Sequence, residues 1–154
     1  MEAEDDGFSR LALPDVTATQ TGATERVARV PRRYGESGLM PRFVILEHDH
    51  PMRHWDLMLE SGTILRTWRL PAFPRSGETI AAEATFDHRL VYLDYEGPIS
   101  GGRGRVIRRE SGTFAWQTQA VDRVVVRVDG EQLRGVLRLE QEGGSWRGEF
   151  VADI

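Results

Sequence analysis

Short runs of alternating or continuous apolar residues recur along the chain from Pro41 onward, with turn-forming residues between them. Runs of this length and spacing predict β-strands. The predicted strands cover 43–47, 54–60, 63–70, 79–86, 105–109, 113–118, 123–128, 133–140 and 145–151. We expect tight antiparallel hairpins where residues that tolerate positive φ stand between runs, namely at Ser61-Gly62, Ser111-Gly112, Asp129-Gly130 and Gly143-Gly144.

About eight strands joined by short turns are enough to close a sheet on itself. The sequence therefore predicts an all-β fold, a closed or nearly closed antiparallel β-barrel with one or two short helical turns. One segment, 88–95, breaks the alternation of apolar and polar residues. We expect it to form a single helical turn that brings His88 and Tyr92 onto one face.

The first 40 residues mix acidic residues, Thr, Gly, Ala and Pro without apolar periodicity, so residues 1–40 are predicted to be a flexible tail. Residues 41–154 are predicted to be the barrel domain, and a chain of 154 residues suits one such domain. Met40 stands directly before the first strong strand. Translation starting at Met40 is therefore an alternative to the tail.

Composition narrows the chemistry and the location. The chain has no run of about 18 apolar residues and no signal-peptide pattern at its start, so we expect a cytoplasmic protein without membrane contact. With no cysteine, any metal site must use histidine and carboxylate ligands. The formal charge of -4 argues against a surface that attracts nucleic acid everywhere, but it allows a local basic groove.

Histidines cluster just after the first predicted strand. Three of the four histidines, His48, His50 and His54, fall within seven residues. On a strand starting at His54, residue Asp56 shares the face of His54, so the two could bind one divalent ion that His48 completes. Surface histidines beside a half-buried strand are the alternative interpretation, and His50 before Pro51 fits a turn residue. The opposite face of this strand is apolar, and we expect it to pack outward or against the tail; it consists of Trp55, Leu57 and Leu59.

Three separated blocks carry a resemblance to a known family. They are HDHPMRHWDLMLESGTILRTW at 48–68, DHRLVYLDYEGPI at 87–99 and DGEQLRGVLRL at 129–139. In order and spacing they resemble the 3'-phosphoesterase domain of bacterial DNA ligase D, over about residues 42–151.

The resemblance implies a manganese-dependent enzyme, with other divalent transition metals as alternatives. It would trim DNA 3' ends in non-homologous end joining, removing a 3'-terminal ribonucleoside and then a 3'-phosphate. Its partners would be DNA 3' ends or a primer-template, together with separate ligase and polymerase proteins. By position, the metal ligands would be His48, His54 and Asp56, and the phosphate contacts would be His88 and Tyr92. Asp49 would either hydrogen-bond a ligand imidazole or cap a loop.

The chain departs from the family pattern where the family has cations. Met58, Ala72 and Ile80 stand at these positions. Loss of charge-assisted phosphate contacts weakens catalysis unless other cations replace them. The candidate replacements are Arg66 and Arg69, which lie near the vacated positions, and Arg103 and Arg105, which belong to a basic glycine-flanked segment. A solvated strand face would also explain these arginines.

Two further functions remain open at the level of sequence. A catalytically weak or inactive family member would serve as a binding module for DNA ends or a repair partner, which the missing cations favour. A non-haem iron oxygenase would also use H-x-D on a strand with a distal histidine. That interpretation is disfavoured because no histidine follows His88.

Overall fold

The computed structural model describes residues 40–154, so the predicted tail lies almost entirely outside the described residues. Nine β-strands and one 3₁₀ turn, Leu90–Leu93, make up this part of the chain. The strands are β1 Arg42–His48, β2 His54–Ser61, β3 Ile64–Leu70, β4 Thr79–Arg89, β5 Gly97–Pro98, β6 Arg105–Gln119, β7 Arg123–Gly130, β8 Arg134–Glu142 and β9 Ser145–Ala152.

Eight strands close into an antiparallel barrel. Their order is β1-β2-β3-β4-β9-β8-β7-β6, and β6 pairs back onto β1, while the short β5 pairs only with β6 outside the barrel. The prediction of an all-β closed barrel is confirmed. No helix in residues 40–154 has the length and apolar character needed to span a bilayer.

Alternation along the strands separates two apolar clusters. On β1, Phe43 and Ile45 belong to a large cluster that draws side chains from every barrel strand except β4, whose Ile80 and Ala82 pack against it. This cluster fills the barrel interior. Val44 and the other residues of opposite parity belong to a smaller cluster on the outer face, which the 3₁₀ turn covers. Strand β1 thus contributes side chains to a different apolar cluster on each of its two faces.

The apolar side of β2 faces inward, contrary to the prediction that it packs outward or against the tail. Leu57 and Leu59 are fully buried in the interior cluster, and Trp55 packs against its edge. The prediction was wrong because closure of the barrel turns this face toward the lumen. The candidate metal ligands of opposite parity consequently lie on the outer face.

Two predicted strands, 105–109 and 113–118, form the single 15-residue strand β6. Ser111-Gly112 is not a hairpin turn; it lies mid-strand, where Gly112 pairs with Gly130. A side chain on Gly112 would collide with the backbone carbonyl of Asp129. Gly112 therefore permits the close approach of two strands. In the sequence, a glycine required for this reason cannot be distinguished from a glycine required for a turn.

The remaining predicted turns follow the sequence more closely. Gly62 (φ 65°) lies between β2 and β3, and Gly143 and Gly144 (φ 58° and 97°) lie between β8 and β9, as expected for tight hairpins. Asp129 and Gly130 instead end β7, and the turn follows at 131–133. Hairpin prediction was therefore correct at two of the four sites.

Candidate metal centre

The three predicted ligands come together at one end of β1 and β2. His48 ends β1, His54 begins β2, and the two are cross-strand partners with ring centroids 5.0 Å apart. Asp56 follows on the same face of β2. Candidate donor atoms of the three side chains lie within 4.8 Å of one another, and all three residues are buried. The alternative of solvent-exposed surface histidines therefore does not describe His48 and His54.

Backbone carbonyls orient both imidazole rings. Nε2 of His48 lies 2.8 Å from the carbonyl oxygen of Arg103, and Nδ1 of His54 lies 2.9 Å from that of Met52. Because a carbonyl oxygen only accepts, each of these nitrogens donates. In the neutral rings this leaves a lone pair on Nδ1 of His48 and on Nε2 of His54, as metal ligation requires.

The donor set fits a first-row divalent ion. Nε2 of His54 is buried without a hydrogen-bond partner among residues 40–154, and it lies 3.3 Å from Oδ2 of Asp56. This distance allows an electrostatic contact without hydrogen-bond geometry. Two imidazole nitrogens and one carboxylate oxygen suit Mn²⁺, Fe²⁺ or Zn²⁺ and leave coordination positions for water or substrate.

The two ligand histidines differ electrostatically. Burial lowers the pKa of His48, which favours the neutral ring. Burial also opposes protonation of His54, but the close contact with the negatively charged Asp56 carboxylate outweighs burial and raises the pKa of that ring. A metal ion would take over the electrostatic role of the His54 proton beside Asp56.

His88 lies at the end of β4, opposite Leu65 of β3. Its Nδ1 is 3.0 Å from the hydroxyl of Thr67 and 3.1 Å from the carbonyl of Phe86. Thr67 donates its own proton to the Leu65 carbonyl, so the hydroxyl accepts from His88. Burial is the main reason why the pKa of His88 falls to about 4. The free protein therefore holds a neutral ring whose Nε2 keeps its lone pair.

Tyr92 reaches His88 from the 3₁₀ turn rather than from a shared helical face. The predicted helical turn exists, but it begins at Leu90, and β4 extends through His88 to Arg89. The two rings meet edge to face with centroids 5.6 Å apart. Burial raises the pKa of Tyr92, so its phenol stays protonated as a hydrogen-bond donor.

Asp49 caps the neighbouring loop. Its Oδ1 accepts a hydrogen bond of 2.9 Å from the backbone N–H of Arg105, which fixes the end of β1 to the segment that carries the Arg103 carbonyl. Gly104 has φ 74°, and a side chain there would collide with Asp49 and His50. His50 is half-buried, with its ring centroid 6.4 Å from that of His48.

The four candidate phosphate-binding arginines occupy different places. Arg69 shares the outer face and is the cross-strand partner of Asp56. Arg103 and Arg105 belong to the segment that packs against the His48 end of β1, where Nε of Arg103 donates to the Ser100 carbonyl. Arg66 stacks on Trp68 at 4.9 Å and donates to the Ala120 carbonyl, on the other face of β3. The structure does not bring Arg66 to the site.

The three positions where the family pattern has cations also separate in space. Met58 is 2% exposed in the outer-face cluster, beside Asp56 on the same strand. Ile80 packs against the barrel interior, and Ala72 is exposed after β3. The hydroxyl of Thr67 fixes His88, a role that the sequence analysis missed. The signal in the sequence is the two-residue spacing of Thr67 and Arg69, which puts both side chains on the same face of β3.

Fold and site together define an antiparallel β-barrel whose interior is packed and whose outer face carries a buried cluster of two histidines and one aspartate. The DNA Ligase D 3'-phosphoesterase domain family matches residues 46–145, and the chain belongs to this family. The family resemblance predicted from the sequence is confirmed.

Curated relatives with the same domain are much longer proteins. The chain is 32% identical over 111 residues to the multifunctional non-homologous end joining DNA repair protein LigD of Mycobacterium tuberculosis, covering 66% of this chain and 15% of that protein. It is 28% identical over 141 residues to LigD of Mycolicibacterium smegmatis, covering 80% and 18%. For LigD of Pseudomonas aeruginosa the identity is 34% over 97 residues, covering 60% and 11%. The chain thus spans less than a fifth of these relatives.

Proposed function

We propose that the protein is a divalent-metal-dependent phosphoesterase that removes a 3'-terminal ribonucleoside or a 3'-phosphate from DNA ends, with Mn²⁺ as its ion. Membership of the ligase D phosphoesterase family supports the reaction class. The observation that carries the proposal is the convergence of His48, His54 and Asp56 within 4.8 Å on one buried face. Imidazole and carboxylate ligands bind Mn²⁺ and other first-row divalent ions.

Each residue has a role that its surroundings support. A bound divalent ion would neutralise charge on the phosphate and lower the pKa of a coordinated water. His88, with Nδ1 held by Thr67, would use Nε2 to exchange a proton with the phosphoester or to hydrogen-bond one of its oxygens. Tyr92 is a protonated donor beside His88 that would orient the same phosphate.

The test compares Asp56→Ala with Asp87→Ala on a primer-template ending in a 3'-phosphate or a single 3'-ribonucleotide. Asp87 is an exposed aspartate beside His88, so its replacement controls for loss of a nearby negative charge. We expect the wild type and Asp87→Ala to bind Mn²⁺ in calorimetry and to release product only with the ion. Asp56→Ala should lose Mn²⁺ binding and at least about 100-fold in kcat/KM, since it removes a ligand. Equal product formation by Asp56→Ala would contradict the proposal.

A binding module without turnover is the second candidate. It is favoured by the apolar Met58, which is buried at a position where the family pattern has an arginine. In this case the protein would bind DNA 3' ends in a Mn²⁺-dependent way, with no product after prolonged incubation. Turnover by the wild type that Asp56→Ala abolishes would exclude it.

A further inference from the structure

Arg69 has the surroundings of a ligand-binding residue. It lies on β3 between two carboxylate residues, with Asp56 as its cross-strand partner on β2 and Glu83 on β4. It nevertheless takes part in none of the ion pairs formed within residues 40–154. Its Nε is buried and has no hydrogen-bond partner within the same residues.

Two arginines on the far side of the barrel are paired with carboxylates. Arg123 on β7 binds Glu140 at 2.8 Å, and Arg127 binds Asp153 at 3.0 Å. A buried donor left without a partner loses the hydrogen bonds that it would make to water in the unfolded chain, which is unfavourable. An incoming acceptor would supply the hydrogen bond that this guanidinium nitrogen lacks, and phosphate oxygens match the geometry of the guanidinium fork.

The charge of Arg69 acts at the site itself. Burial dominates the lowered pKa of His88, and Arg69 contributes in the same direction. Arg69 thus lies beside Asp56 on the metal-ligand side of the site, and its charge also acts on His88. Met58, the next residue after Asp56 on this face of β2, supplies no charge there.

We propose that Arg69 is a phosphate-binding residue of this protein, donating to a nonbridging oxygen of the 3'-terminal phosphate held at the His48, His54 and Asp56 cluster. This inference rests on the proposed function, because it assigns the substrate contact of the same site. It also identifies the terminal phosphate, rather than the base or sugar, as the group that Arg69 recognises.

The experiment uses Arg69→Gln and Arg69→Lys, with Arg138→Gln as the matched control. Arg138 is an exposed arginine of β8, outside the site. Removing one donor to a transition-state oxygen typically lowers kcat about 100- to 1,000-fold. We expect this loss for Arg69→Gln, a smaller loss for Arg69→Lys, and activity within twofold of wild type for Arg138→Gln. Mn²⁺ affinity should not fall in any of the three variants, because Arg69 is not a ligand and a nearby positive charge opposes the binding of a cation.

A second readout separates this inference from the proposed function. Inorganic phosphate is titrated into the Mn²⁺-loaded protein and followed by paramagnetic broadening of its ³¹P signal. Even if the wild type shows no turnover, it should bind phosphate, and Arg69→Gln should weaken that binding at least about tenfold. Equal phosphate binding by wild type and Arg69→Gln, or equal turnover where the wild type is active, would overturn the role of Arg69. Absence of phosphate binding to the wild type would overturn it as well.

Discussion

Each imidazole of the site is held by an uncharged oxygen. Backbone carbonyls orient His48 and His54, and the Thr67 hydroxyl and a carbonyl orient His88. Such partners fix the tautomer without adding a negative charge that would repel phosphate. Among the clustered donor groups of the described residues, Asp56 provides the single carboxylate.

Met58 is predicted to be a packing residue that cannot be replaced by a cation. It is 2% exposed and belongs to the cluster beneath the 3₁₀ turn. Met58→Leu conserves volume and polarity and should change the free energy of unfolding by less than about 1.5 kcal/mol. Met58→Arg buries a charge without a partner and should destabilise by about 3 kcal/mol or more. Urea denaturation measures both variants, and equal stability would contradict this assignment.

The length of β6 decides how the barrel closes. This strand pairs with β1 along one edge and with β7 along the other, and its register shifts opposite Ile45 and Leu46. The shift places Glu110 opposite Ile45, on the side of the interior cluster. A local irregularity in one strand thus brings a carboxylate into an apolar region, where its partners must be supplied by the adjoining loop.

Glu110 is predicted to hold the turn between β7 and β8. It is 1% exposed, and its carboxylate accepts from the backbone N–H groups of Ser111, Glu131, Gln132 and Leu133. Glu110→Ala leaves these donors without their acceptor and should destabilise by about 3–5 kcal/mol. Chemical denaturation measures this effect, with Glu131→Ala as the control. Because the Glu131 side chain is exposed, its removal should change the free energy of unfolding by less than about 0.5 kcal/mol. Similar midpoints for the two variants would refute a structural role for Glu110.

At the scale of the whole molecule, the arginines differ in whether a carboxylate pairs with them. Salt bridges occur both on β7, β8 and β9 and beside the metal cluster, where Arg53 and Arg109 pair with Glu47. Arg69 and Arg105, also near the cluster, form none within residues 40–154. The formal charge of -4 is therefore compatible with a local cationic surface.

Salt dependence should reveal that surface. Arg105 is exposed beside the loop that Asp49 caps, whereas Arg127 is bound to Asp153 on the far side. If Arg105 contacts a phosphate, Arg105→Gln should reduce the slope of log K against log[salt] by about 1. Arg127→Gln should leave the slope unchanged. The measurement is fluorescence anisotropy with a 3'-phosphorylated duplex across several salt concentrations, and equal slopes for both variants would exclude Arg105 as a contact.

The sequence by itself determined the fold class, the family and the identity of the clustered ligands. The alternation of side chains between the two faces of a strand is a local property. The two-residue spacing of His54 and Asp56 on β2 was therefore enough to place them on one face. Two hairpins could also be predicted, because Gly62 and Gly143 provide the positive φ that tight turns require. These features depend on near neighbours along the chain.

Only the tertiary structure decided which face of β2 is inside, where β6 continues through Gly112, and which arginine accompanies the metal cluster. Alternation gives two faces but does not label them, and barrel closure turned Leu57 inward and Asp56 outward. The proximity of Arg69 to Asp56 depends on the register between two strands. Register and closure arise from contacts between distant segments, so no local pattern encodes them directly.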